Sequence, residues 1–364
     1  MSTHPNRSVP PFCPNPDCES HAKPGTFRFK RKGYYERRCT PRRIQRYVCS
    51  ACRRNFSSQT FSTTYWLKQP HHLAALFHRL VGCSALRQIA REFGWSHSSV
   101  QRQTERLGRH CLLFLEEHRL RAGPIETLVL DGLRTFEHSQ YWPFDLNLLV
   151  GVSHYVYGFN DAELRRSGTM RPGQQKRRAA LEAELGRPDP FATRRSIEDL
   201  VRRVVPPGAE VVIESDEHTA YPHALARIKD RVIHHRTTSS KESRTPENPL
   251  FPVNLAELLL RHSSANHKRE TIAFSKRRQG ALHRTAIFAV WRNYIKSRSE
   301  NRRDEPPGVV IGVIPARLAA AQVLARRRFP WRQVLEPWLE RCYFGRIPTR
   351  RIRGCRSHRL SYAV

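Results

Sequence analysis

"VVIESDEHTAYPHAL", residues 211–225, decides how the chain is read. Three apolar, β-branched positions, Val211 to Ile213, lead into Glu214, Asp216 and Glu217, and a short helical pattern follows. An apolar run that stops in a cluster of acids has the form of a buried strand delivering carboxylates to the edge of a sheet. The cluster is out of character for the whole. The chain has 364 residues, with 64 Lys and Arg against 32 Asp and Glu, a formal net charge of +32.

Working back from this strand, "GPIETLVLDGLRTFEH" places Leu128, Val129, Leu130 and Asp131 in a second β-rich run. "DLNLLVGVSH" and "YVYGF" follow at short spacing, so three strands in succession are expected to form a meander. A polar, basic, Gly- and Pro-rich stretch near 161–195 reads as an insertion ahead of the helix "SIEDLVRRVV". "AEVVIESD" is then a fourth strand, "AYPHALARI" a helix and "RVIHH" a fifth strand. The expected class is α/β, and this order of elements is that of a ribonuclease-H-like domain.

In such a fold Asp131 and Asp216 sit on neighbouring strands. Two adjacent carboxylates repel each other and shift their pKa values unless a cation lies between them. Hard oxygen ligands select Mg²⁺ or Mn²⁺. Two such ions, about 3.5–4 Å apart, can hold the attacking and leaving oxygens of a phosphodiester in line. Glu214 and Glu217 remain alternatives within the cluster. A third acid is expected from "PVNLAELLLRHSSANHKRETIAFSKRR", which offers Glu257 and Glu270. Asn254, Glu257 and Arg261 share a helical face. On a continuous helix Glu270, 13 positions on, would stand about 20 Å away, so the two cannot serve one site. Glu257 is preferred as the more compact arrangement. Lys268, Arg269, Lys276, Arg277 and Arg278 read as phosphate contacts.

Upstream, Cys13-x4-Cys18 and Cys49-x2-Cys52 have the spacing of two tight turns whose thiolates face one Zn²⁺. His21 and Cys39 are nearby alternatives as ligands. So small a segment has little core of its own, and metal binding would supply its folding free energy. Cys83, Cys111, Cys342 and Cys355 are scattered singly and read as structural.

Between ribbon and sheet, "SALRQIAREFGWSHSSVQRQTERLGRH" carries two helical faces. Leu86, Ile89, Ala90 and Phe93 fall at i, i+3, i+4 and i+7. Gly94 ends the first helix and Ser96 caps the second. Val100, Thr104 and Leu107 give the second its buried side. His97, Ser98, Gln101 and Arg102 then point outward, a donor set suited to base edges and phosphates in a helix-turn-helix.

The net charge agrees with a polyanionic partner, because Lys and Arg release condensed counterions on binding DNA. The longest apolar stretches fall well short of the roughly 20 residues of a membrane span. No signal-peptide core is visible, so a cytoplasmic location is expected, with nucleoid association through DNA.

Taken together, "CPNPDC…CSAC", "LRQIAREFGWSHSSVQRQ", "LVLDGL", "ESDEHTAYPHAL" and "VNLAELLLRHSSANHKRETIAFSKRR" resemble bacterial insertion-sequence transposases of the DDE type. These join a zinc ribbon and a helix-turn-helix to a ribonuclease-H-like core. The resemblance spans residues 13 to about 296. It implies binding of terminal inverted repeats in double-stranded DNA, metal-dependent strand cleavage and strand transfer, and a homo-oligomer assembled on DNA. It also implies that Asp131 and Asp216 are the first two acids, with two Mg²⁺ or Mn²⁺ ions and one Zn²⁺ as cofactors. It leaves the third acid open. The usual pattern has Lys or Arg seven positions after the Glu; Glu270 has Arg277 there, whereas Arg261 counts back to Asn254. The expected division is a ribbon over 10–66, helix-turn-helix over 67–122, catalytic domain over 123–300 and a basic tail over 301–364. The competing readings are a non-catalytic DNA-binding regulator and a metal-dependent nuclease that never joins strands.

Overall fold

The structure, a computed structural model, describes residues 9–122, 126–239, 241–268, 271–300, 304–325 and 336–349. Arg269, Glu270 and Cys355 lie outside the described residues.

The N-terminal segment is a three-stranded antiparallel sheet of β1 (Phe29–Glu36), β2 (Arg43–Cys49) and β3 (Asn55–Ser57), in that order. Its core is a small aromatic cluster of Phe12, Phe27, Tyr47, Phe56 and Phe61, joined by Cys13, Cys18 and Cys49. Tyr47 and Phe56 stack across the β2–β3 pair, and Phe12 meets Phe61 edge to face. Large rings suit so small a body, because each buries much area at little backbone cost.

Three helices follow: α1 (His72–Val81), α2 (Leu86–Phe93) and α3 (His97–Ala122). Helix α2 buries Ile89 and Ala90, with Leu86 and Phe93 packed against the same core. It stops at Gly94, whose left-handed φ of 63° lets the Trp95 amide reach back to the Ala90 carbonyl at 2.9 Å. Ser96 Oγ accepts the Ser99 amide at 3.2 Å and starts α3. Val100, Thr104 and Leu107 are buried at the start of α3, and Cys111, Leu112 and Phe114 extend that stripe further along.

The larger sheet has five strands in the order β6-β5-β4-β7-β8. β4 (Leu128–Phe136), β5 (Pro143–Gly151) and β6 (Val156–Glu163) form an antiparallel meander. After α4 (Pro172–Leu185) and α5 (Ala192–Val204), β7 (Glu210–Ser215) lies parallel to β4. Helix α6 (Ala220–Leu225) then leads to β8 (Val232–Thr237), parallel to β7. β5 is buried at every position from Phe144 to Gly151, so both faces of the sheet are covered at its centre. Helix α7 (Phe251–Ser263) packs on β4 and β5, and α8 (Arg278–Tyr294) lies along α3.

Two features depart from the sequence reading. The polar stretch over 161–195 contains the 14-residue helix α4, in which only Leu181 is buried. Arg278, read as a phosphate contact, is buried: its Nε lies 2.9 Å from Asp161 and its Nη2 2.9 Å from Glu163. A guanidinium flanked by carboxylates in the core is not available to a polyanion.

C-terminal residues join the same core. Helices α9 (Ala320–Ala325) and α10 (Pro337–Tyr343) bury Val323, Trp338, Leu339 and Cys342. Trp338 Nε1 donates to Asp161 at 2.6 Å, and Thr63 donates to the Leu324 carbonyl at 2.6 Å. Helices α9 and α10 thus contact the ribbon's end and the sheet respectively. No described helix is long and apolar enough to cross a membrane.

Candidate active site

The register of β4 against β7 pairs Leu128 with Ile213, Val129 with Glu214 and Leu130 with Ser215. The next residue on each parallel strand is an aspartate, so Asp131 and Asp216 stand side by side where β7 ends. Asp216 Oδ1 accepts the His218 amide at 2.9 Å, which fixes the turn into α6. Asp131 Oδ1 accepts the Gly132 amide at 2.6 Å and the Tyr221 hydroxyl at 3.2 Å. Burial pushes the Asp131 carboxyl above the usual range, and the neighbouring Asp216 charge adds to this.

Glu257 on α7 lies near enough to Asp131 for the two carboxylates to repel. Burial, then repulsion from Asp131, raises its carboxyl to about 8, against the opposing pull of Arg261 and Arg244. Its Oε1 is buried and has no hydrogen-bond partner among the described residues. A buried carboxylate oxygen with no donor, beside a second carboxylate, requires a proton or a cation. Asp131, Asp216 and Glu257 offer hard oxygen donors of the kind that Mg²⁺ or Mn²⁺ takes, but their oxygens do not all lie within 4.8 Å of one another.

The other acids of the opening cluster are engaged elsewhere. Glu214 lies 3.7 Å from Arg236 on β8, and exposed Glu217 accepts the Ser239 hydroxyl at 3.2 Å. Glu270, the alternative third acid, lies outside the described residues.

Two neighbours of the site were not singled out from the sequence. Tyr221 orients Asp131. Asp145, buried on β5, accepts Arg134 Nε at 3.2 Å and raises the carboxyls of both Asp131 and Glu257. A charged residue inside the apolar run "FDLNLLVG" was the available signal for Asp145. Tyr221 had none beyond its place in the helix after β7.

The four thiols Cys13, Cys18, Cys49 and Cys52 form a second group, all within 4.8 Å of one another. Cys13 Sγ is 3.6 Å from Cys52 Sγ, and Cys18 Sγ is 3.9 Å from Cys49 Sγ. Sulfurs at the corners of a tetrahedral Zn²⁺ site stand roughly 3.8 Å apart, given Zn–S bonds of about 2.3 Å. Burial pushes the Cys13 and Cys49 thiols up. At Cys52 burial is outweighed by hydrogen bonds led by the Arg54 amide, and the thiol falls to about 7. This group can hold zinc. His21 stands outside it, with Nδ1 2.7 Å from the Cys13 carbonyl, and Cys39 donates to the Leu67 carbonyl at 3.3 Å.

On α3, His97, Ser98 and Arg102 are exposed in the first turns, while Gln101 is half-buried and donates to Glu105 at 3.0 Å. Lys268 is exposed beyond the end of α7, and Arg269 lies outside the described residues.

No family model matches the chain, and no curated protein matches it. Among solved structures it is similar, distantly, to the cryoEM structure of a simian T-cell lymphotropic virus intasome in complex with PP2A regulatory subunit B56 gamma. The identity is 12% and the TM-score 0.22, over 59% of this chain and 60% of that chain. The match therefore spans less than two thirds of that chain's length.

Proposed function

We propose that this chain is a DDE-type DNA transposase that binds the terminal inverted repeats of an insertion sequence and cuts and joins strands there. The observation that carries the reading is the pairing of Asp131 and Asp216 at the end of β7, with the buried, donor-less Glu257 near enough to Asp131 for their charges to repel. It is supported by the strand order β6-β5-β4-β7-β8, an antiparallel meander followed by two parallel strands, which is that of a ribonuclease-H-like sheet. A four-thiol ribbon and a helix-turn-helix upstream, in a chain of net charge +32, fit a DNA-binding front end.

In this reading Asp131, Asp216 and Glu257 hold Mg²⁺ or Mn²⁺. When bound, such ions activate a hydroxyl nucleophile and neutralise charge on the leaving oxygen of a phosphodiester. The chain's own contributions are positional. Tyr221 holds the Asp131 carboxylate through its hydroxyl, and the Asp216–His218 turn fixes the second carboxylate. Glu257, without a cation beside it, keeps its proton up to about pH 8. Arg261 and Arg244 limit that rise and place positive charge beside the site.

The test is cleavage and joining of end DNA in Mg²⁺. Asp131→Asn, Asp216→Asn and Glu257→Gln should each abolish both steps while end binding stays unchanged or tightens, since each removes negative charge that faces phosphate. Glu270→Gln should stay active. A dead Glu270 variant beside an active Glu257 variant would move the third acid but keep the mechanism. Full activity in both aspartate variants would leave a DNA-binding regulator.

A further inference from the structure

The β1–β2 hairpin is built unlike a strand pair that serves a core. From Lys30 to Glu36 every residue of β1 is exposed, whichever way it points. A strand with one buried face alternates; this one leaves both faces to solvent. Its composition is equally one-sided, with nine Lys and Arg and a single Glu across residues 28–46. Lys30, Arg31, Lys32 and Arg43 make no ion pair with a carboxylate among the described residues. A bulge at Gly33, φ 68°, shifts the register between Arg31 and Tyr34, and Gln45 Nε2 donates to the Gly33 carbonyl at 2.7 Å to hold it. Bulges of this kind re-aim the side chains that follow.

Aromatic rings sit among these charges. Tyr34 is 52% exposed, with the Arg43 guanidinium 4.1 Å over one side of its ring. Trp66 is 82% exposed and holds a left-handed φ of 57°, a conformation bulky side chains avoid. It directly precedes Leu67, whose carbonyl takes the Cys39 thiol from the hairpin's loop. Trp66 is therefore adjacent in the chain to the residue that the hairpin's loop touches. Uncompensated positive charge recruits a phosphate backbone. Exposed ring faces among the charges need a flat partner, and in a duplex the base faces are already covered by their neighbours. Unpaired bases offer theirs, and aromatic–base stacking with a basic groove is the chemistry of single-strand binding.

We infer that the hairpin and Trp66 form a binding surface for an unpaired DNA strand, with Tyr34 and Trp66 as stacking platforms and Lys30, Arg31, Lys32 and Arg43 as phosphate contacts. This rests on the reading of the chain as one that opens and cuts DNA ends, where unpaired bases are exposed. It is separate from the carboxylate site and from α3.

The test uses the zinc-loaded full chain, a 20-nucleotide oligo(dT) and a 20-base-pair duplex, with affinities read by anisotropy at several salt concentrations. Replacing Tyr34 and Trp66 together by Ala should weaken oligo(dT) at least about tenfold, since stacking contributes about 1–3 kcal/mol per base. Duplex affinity should change less than about twofold. Replacing both by Phe should restore oligo(dT) binding, which separates stacking from folding. Replacing Lys30, Arg31, Lys32 and Arg43 by Ala should flatten the salt dependence on oligo(dT) by about 3 in slope, at roughly 0.7 per contact. Wild-type oligo(dT) affinity in the Ala pair, or an unchanged slope in the charge variant, overturns the inference. So does polyglutamate competing as well as oligo(dT), which would mark an acidic protein as the occupant. The catalytic reading fails by a different readout, cleavage by the aspartate variants, so the two failures are distinguishable.

Discussion

Gly108 of α3 lies directly against His283 of α8: a Cβ built on it would stand 2.8 Å from both the Cα and the Cγ of His283. Here two long helices meet backbone to side chain, and one of them carries the exposed residues His97, Ser98 and Arg102 in its first turns. Elsewhere in a helix, Gly→Ala gains up to about 1 kcal/mol of propensity. At this position the methyl has no space, and the helices must part. Gly108→Ala should therefore destabilise the protein by about 1–3 kcal/mol, an overpacking cost, read as a lower urea midpoint. A variant more stable than wild type would mean that α3 and α8 separate freely.

The thiol cluster makes a separate prediction. Protein purified without chelator should contain one zinc per chain, because the four sulfurs already have tetrahedral spacing. Cys49→Ser or Cys52→Ser should lose that zinc and the ordered ribbon with it, since metal and folding free energy are linked. Cys39→Ser should keep it, as the Cys39 thiol is spent on the Leu67 carbonyl. Elemental analysis of the three variants decides; zinc lost from Cys39→Ser and retained by Cys52→Ser would mean that the ligands are misassigned.

How much of this was legible from residues alone varies with what held the information. Strands β4 and β7 could be read because each is an apolar run reaching an aspartate. That Asp131 and Asp216 are neighbours depends on a parallel register, which sequence only permits. Helix α4 was hidden because a single buried residue, Leu181, gives no stripe to detect. It is helical through composition, with Pro172 at its first position and Gln, Lys, Arg, Ala, Leu and Glu after it. Arg278 looked like part of a basic surface run, and its burial follows from Asp161 and Glu163, which lie on a strand more than 100 positions earlier. Asp145, Tyr221 and the packing of Trp338 share that cause: partners distant in sequence meet only once the sheet is formed.

Acid should act through His267. It is fully buried, with Nε2 3.4 Å from the Thr285 hydroxyl and no partner for Nδ1 among the described residues. Burial, then repulsion from Arg284, lowers its pKa to about 3 from an ordinary 6.5. A depressed histidine binds fewer protons folded than unfolded. Its neutral form therefore supports the fold fully above about pH 6.5, and that support is lost progressively as pH falls towards 3. Between pH 7 and pH 5 this group alone should remove about 2 kcal/mol. Urea midpoints across that range should fall less steeply in His267→Gln. Equal slopes in variant and wild type would mean that water reaches the ring.

Recognition should divide by residue type, and unevenly within α3. Arg102 is exposed and extends a charged fork, whereas the Gln101 amide is already held by Glu105 at 3.0 Å. Base contacts specify sequence, and phosphate contacts position the protein. Arg102→Ala should therefore narrow the gap between end DNA and random duplex by about 1–3 kcal/mol, the value of a good bidentate base contact. Gln101→Ala should have a smaller effect, because the amide must first leave Glu105. Lys268→Ala should weaken both duplexes alike and reduce the salt slope by about 0.9, the share of one phosphate contact. Competition binding of end and random duplexes at three salt concentrations measures all of these. If Arg102→Ala keeps the wild-type ratio while Lys268→Ala changes it, the reading element is the loop beyond α7 rather than the start of α3.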